Sequence, residues 1–138
     1  MLLRLADAAR LAEVWFHGIE PAVLRHRKFK AAARSAERML NLRHSTSPAD
    51  LSALQETHQF LALEWTNTSV PFTDLQPAAP TVLVVGNEKR GVSQPLLDLC
   101  TAAVHVPMYG LNSSMNVSMA SAIVVYDLIG KLGASPIG

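Results

Sequence analysis

The amino-acid sequence predicts an α/β fold built on a mostly parallel sheet flanked by helices. Three observations carry that prediction. Apolar strand-like runs alternate with helix-forming stretches, one run (TVLVV, residues 81–85) has no polar alternation, and the two least ordinary segments each follow a strand-like run directly. An uninterrupted apolar strand is one covered on both faces, as in a parallel sheet between layers of helices.

In chain order, residues 5–12 read as a helix and residues 13–17 (EVWFH) as a short strand ending at Gly18, after which Pro21 breaks the chain. Residues 29–40 contain Ala31, Ala32, Ala33, Ala36, Met39 and Leu40, good helix formers that leave the basic residues on another face. Ser47 followed by Pro48 has the form of an N-cap and first helical position, which predicts a further helix to about His58. Residues 60–65 (FLALEW) suit a buried strand, and the proline-containing stretch 70–80 is a connection with one turn. The strand 81–85 ends at Gly86, residues 95–101 form a short helix, 103–106 another strand, and 115–132 a long helix stopped near Gly133.

At 138 residues the chain is expected to make one domain, residues 1–138. With 49% hydrophobic and 17% charged residues it is excluded from the disordered class, and it carries enough apolar surface to suggest a partner. The net charge of +1 hides an asymmetry: residues 1–47 hold nine Lys or Arg against four acids, and residues 48–138 hold three against seven. Arg25, Arg27, Lys28, Lys30, Arg34 and Arg38 form a patch able to track a phosphate backbone, or equally a solvated helix face. One cysteine, Cys100, excludes an internal disulfide and suits a reducing compartment. No run approaches the roughly 18 apolar residues of a membrane span, and no export signal is found, so a cytoplasmic location is expected.

The first unusual segment is Gly86-Asn87-Glu88-Lys89-Arg90-Gly91, where two glycines let the backbone turn tightly and approach a ligand. It has the glycine spacing of a phosphate loop, but Val92 and Ser93 follow where Lys and Ser or Thr would be required. An ordinary glycine-bounded turn remains the plain alternative. The second runs from Val106-Pro107-Met108-Tyr109-Gly110 through Ser114-Met115-Asn116-Val117-Ser118. An N-cap for the last helix accounts for part of it, but not for so many small polar residues around Met115.

Taken in order and about 20 residues apart, these segments resemble the signature motifs of the SpoU family of RNA ribose 2′-O-methyltransferases, within the knotted SPOUT superfamily. The family shows a strand leading into G-N-E-x-x-G, then I-P-M-x-G and S-L-N-V-S. Gly86-Asn87-Glu88 with Arg90-Gly91 matches the first; Val106-Pro107-Met108 with Gly110, and Ser114 through Ser118, match the second and third with conservative replacements. Arg4-Leu5-Ala6-Asp7-Ala8 before Glu13-Val14-Trp15 resembles the end of the family's first motif, with Leu5 in place of a threonine. The strand and asparagine loop that open this motif in relatives are not found ahead of Arg4, so the resemblance implies a domain lacking its first strand.

The resemblance implies a C-terminal trefoil knot, which no periodicity would suggest, a homodimer packed through the last helix, S-adenosylmethionine as cofactor, and tRNA or rRNA as substrate. It implies no metal and no membrane partner. Gly86, Asn87, Gly91, Val106, Met108, Gly110 and Met115 are expected to hold the cofactor. Arg4, Glu88, Ser114 and Asn116 are expected at the reacting ribose, and Arg25, Arg27, Lys28 and Lys30 on the RNA. Glu88 paired with Arg90 on the surface is the plain alternative for that carboxylate. A paralogue that binds cofactor or RNA without catalysing is the competing reading.

Overall fold

The computed structural model describes residues 2–27, 40–78 and 80–137. The helix expected over residues 29–40 therefore lies almost wholly outside the described residues, as do Lys28 and Lys30. The chain divides into two compact units, Met1–Ser52 and Ala53–Gly138.

The N-terminal unit opens with a helix, Leu2–Ala8, that starts and ends earlier than the sequence suggests. It stops because Arg10 adopts a left-handed backbone with φ of 53°. The Leu11 N–H then bonds to the Ala6 carbonyl at 2.9 Å and the Arg10 N–H to the Asp7 carbonyl at 3.0 Å, the pairing of a Schellman cap. Strand β1 (Val14–His17) follows, then a single helical turn, Pro21–Leu24. Strand β2 (Leu42–Ser45) pairs with β1 in parallel, Val14 opposite Leu42 and His17 opposite Ser45. Nδ1 of His17 lies 2.8 Å from Oγ of the buried Ser45. The predicted Ser47 N-cap is present: its Oγ accepts from the Ala49 N–H, while the Asp50 carboxylate accepts from the N–H groups of Ser47 and Thr46. What it caps is a 3-10 turn, Pro48–Leu51, that runs into one helical turn, Ser52–Gln55, shorter than the helix expected to His58.

The C-terminal unit contains a four-stranded parallel sheet in the order β4-β6-β3-β5. Its strands are β3 (Gln59–Leu63), β4 (Val70–Pro71), β5 (Thr81–Val85) and β6 (Ala102–His105). A mostly parallel α/β architecture is thus present as the sequence predicts. Strand β5 falls where the TVLVV run places it, but it lies at one end of the sheet and most of its residues are only partly buried. The central position belongs to β3, whose Phe60, Leu61 and Ala62 are wholly buried. The stretch expected to be a connection from residue 70 supplies β4, and its Pro71 is tolerated because β4 stands at the other edge. A single helical turn, Gln94–Leu97, joins β5 to β6.

The long helix, Val117–Lys131, packs Val124 and Leu128 against Leu61 and Val104, with Phe72, Leu75 and Leu83 around them. Each such side chain, removed from water, contributes about 1.5–3 kcal/mol. At its end, Nζ of Lys131 donates to the carbonyls of Phe72, Thr73 and Leu75 at 2.9, 3.1 and 2.7 Å, and pairs with the Asp127 carboxylate at 2.7 Å. Gly133, with φ of 76°, ends the helix where expected. Met119, Ile123 and Tyr126 form an exposed apolar stripe on it. No helix among the described residues is long and apolar enough to cross a membrane.

Candidate functional site

In a parallel sheet, ligands gather beyond the carboxyl ends of the strands. Because β6, β3 and β5 are neighbours, the segments leaving their carboxyl ends lie side by side. Residues 64–66, 86–91 and 105–108 meet there with the start of the long helix and enclose a cleft of about 760 Å³. This lies within the range of small-molecule and cofactor sites.

Six of the seven residues expected at the cofactor line this cleft: Gly86, Asn87, Gly91, Val106, Met108 and Met115. Gly110 is exposed and is not among the lining residues. Glu88, Ser114 and Asn116 line it as well. Arg4 sits exposed on the first helix of the N-terminal unit, where Arg25 and Arg27 are exposed too.

The loop after β5 is held from several directions. Asn87 Oδ1 accepts from the Lys89 N–H at 2.7 Å and the Arg90 N–H at 3.3 Å, and the Gly91 N–H returns to the Asn87 carbonyl at 2.7 Å. A Cβ at residue 86 would overlap the Gly91 carbonyl and the Val92 amide, so the two ends of the loop touch only because residue 86 is glycine. Gly91 has φ of 68°, and a Cβ there would occupy the place of the Glu64 carboxylate. That carboxylate, from the end of β3, accepts from the Val92 N–H and the Trp65 N–H, each at 2.9 Å.

Asn116 joins the two motif segments. Its Nδ2 donates to Glu88 Oε1 at 3.3 Å, while its Oδ1 accepts from the Ser118 and Met119 N–H groups as the N-cap of the long helix. Glu88 thus pairs across to the third motif, and no ion pair with Arg90 is found among the described residues.

Sequence reasoning missed Glu64, Trp65 and His105. They belong to no local motif and enter the cleft only because β3 is central and β6 lies beside it. The Trp65 and His105 rings stack with centroids 3.6 Å apart and planes 16° apart.

A cleft of cofactor size at the carboxyl end of a parallel sheet, walled by G-N-E-K-R-G and S-M-N-V-S, defines a class of protein. The chain belongs to the SpoU rRNA Methylase family, whose sequence model matches residues 1–126. Among its relatives, it is 32% identical over 127 residues to the tRNA (guanosine(18)-2'-O)-methyltransferase of Escherichia coli (strain K12), covering 91% of this chain and 55% of the relative. The Aquifex aeolicus (strain VF5) protein of the same name is 41% identical over 69 residues, 50% of this chain and 33% of the relative. Among solved structures, the A. aeolicus TrmH/SpoU tRNA modifying enzyme superposes with a TM-score of 0.79 at 25% identity, covering 96% of this chain and 68% of its own. The SpoU methyltransferase AviRb from Streptomyces viridochromogenes, in complex with AdoMet, shares the fold with a TM-score of 0.83 at 22% identity, covering 94% and 53%. The chain spans about half the length of most of the curated relatives it matches.

Proposed function

We propose that this chain carries the catalytic domain of a methyltransferase that moves a methyl group from S-adenosylmethionine to a ribose 2′-hydroxyl of tRNA or rRNA. The observation that carries the reading is the Asn116 to Glu88 hydrogen bond, which joins the G-N-E and S-M-N-V-S segments at the cleft. The cleft fits the cofactor's chemistry. Apolar Leu63, Val106, Met108, Met115 and Val117 suit the adenosyl part, and the glycine cradle at 86 and 91 admits close backbone approach. Curated relatives are named as tRNA or rRNA methyltransferases.

When bound, S-adenosylmethionine supplies a methyl group on a sulfonium leaving group. The chain's own residues have to align the hydroxyl and stabilise the charge that develops on it. Glu88, Ser114 and Asn116 position the ribose. An arginine is a poor base, so Arg4 orients the phosphate and stabilises developing alkoxide charge, while another group or the phosphate takes the proton. We further propose that the cofactor loops belong to a trefoil knot, and that the exposed stripe Met119, Ile123 and Tyr126 packs in a homodimer. Arg25 and Arg27, with Lys28 and Lys30, contribute the phosphate-tracking patch.

Calorimetric titration of the chain and of Met115→Trp with S-adenosylmethionine tests the site: saturable binding to the parent and none to the variant is expected, and a folded parent that does not bind overturns the reading. Arg4→Ala separates an enzyme from a binding paralogue. In the first it abolishes methyl transfer while sparing cofactor binding; in the second no transfer exists to be lost.

A further inference from the structure

Trp65 lies two residues beyond the end of β3, lines the cleft and remains 52% exposed. One side of its indole lies against His105, a buried residue that ends β6. The imidazole is itself fixed. Its Nδ1 is 2.9 Å from Ser69 Oγ, and that hydroxyl donates its single hydrogen to the Thr66 carbonyl at 3.1 Å. Ser69 Oγ thereby ties the ring to the Thr66 turn and holds its orientation. The Thr66 N–H, also donating to Ser69 Oγ at 3.1 Å, braces the same turn. The result is an aromatic face held in place by a rigid underlay, with much of its surface open to solvent. Exposed Lys89 and Arg90 line the same cleft.

We infer that Trp65 is a stacking platform for a nucleobase of the RNA substrate. The inference rests on the proposed methyltransferase reading and adds to it the group that receives the RNA base. Purines and pyrimidines both present π-faces, and stacking on an aromatic side chain is the common means of holding an unpaired RNA base. Fixing the indole beforehand reduces the ordering cost of binding. Two nearby cations provide for the phosphate that accompanies a base. A base of the RNA, rather than the cofactor's adenine, is the occupant because the wall is open to solvent, where a polymer can reach it.

The test uses a Trp15→Phe background, in which Trp65 is the one remaining tryptophan of the two in the sequence. The chain is titrated with S-adenosylmethionine, with bulk tRNA, with a single-stranded oligoribonucleotide and with its abasic counterpart. The base-bearing RNAs are expected to quench Trp65 fluorescence, and the abasic strand is not. Trp65→Ala should weaken RNA binding about 5- to 150-fold, the range that stacking one base supplies. The slope of affinity against salt should be unchanged, because an uncharged stack releases no counterions. Trp65→Phe, which keeps a π-face, should recover most of the affinity and controls for folding. RNA binding unaffected by Trp65→Ala overturns the platform while leaving the methyltransferase reading intact. A loss of S-adenosylmethionine binding equal to the loss of RNA binding assigns the stack to the cofactor and overturns it too. A folded parent that binds neither ligand removes both the platform and the reading beneath it.

Discussion

Asn116 holds Glu88 with one end of its amide and the first turn of the long helix with the other: Nδ2 donates to Glu88 Oε1 at 3.3 Å and Oδ1 accepts from Ser118 N–H at 2.9 Å. The helix cap and the cleft wall are therefore one residue. Two substitutions separate its duties. Asn116→Ala should lose the cap, at about 1 kcal/mol of stability, together with the hold on Glu88. Asn116→Asp keeps a good capping oxygen but has no hydrogen to donate and sets a second carboxylate against Glu88, so less stability should be lost than in Asn116→Ala while cofactor affinity falls about tenfold or more. Unchanged cofactor affinity in Asn116→Asp would show that the Glu88 contact is incidental.

Gly91 and Glu64 occupy mutually exclusive space. A methyl group at residue 91 must displace the Glu64 carboxylate and also adopt a left-handed backbone. Gly91→Ala should cost about 1–3 kcal/mol in urea unfolding from the backbone alone. In a double-mutant cycle with Glu64→Ala the steric part should vanish, leaving the pair less damaging than the sum. Strict additivity would mean that the carboxylate moves aside freely.

Arg10 stands in a position where glycine is the favoured residue. Left-handed backbone costs an ordinary L-residue about 1–2 kcal/mol, partly offset by the entropy glycine loses on folding. Arg10→Gly should stabilise the chain by about 0.5–1 kcal/mol, read by chemical denaturation, without altering the cleft of the C-terminal unit.

The Asp50 carboxyl is held below its ordinary value of 3.8, first by the Thr46 N–H and then by that of Ser47. A depressed folded value means that the charged form is favoured on folding. The contribution is complete above about pH 3.8 and is lost as the pH falls through the lower folded value. Asp50→Asn should flatten this acid limb of the stability curve of the N-terminal unit. An unchanged acid limb would place the titration elsewhere.

Uniform apolar character placed β5 to the residue, and the G-N-E and S-M-N-V-S segments placed most of the cleft wall. Strand order was not legible, because pairing is a tertiary matter: TVLVV is the most apolar run, yet β3 takes the centre. Val70–Pro71 is too short to show a period, and its proline argues against a strand except at an edge. The end of the first helix at Arg10 carries no glycine to announce it. Trp65, Ser69 and His105 form one assembly across 40 residues of sequence, and nothing local to any of them indicates the others.

The corner around Lys131 has a property of its own. Three carbonyl oxygens and a carboxylate converge on one ammonium, the oxygen-rich surroundings more familiar around a bound alkali ion. Here the ion is covalently part of the helix, so it cannot be diluted, exchanged or removed by a chelator. Acetylation of that one nitrogen would do what chelation cannot: it would leave Asp127 without its counter-charge and a single N–H for the three carbonyls of Phe72, Thr73 and Leu75, and so loosen the end of the helix from the segment it grips.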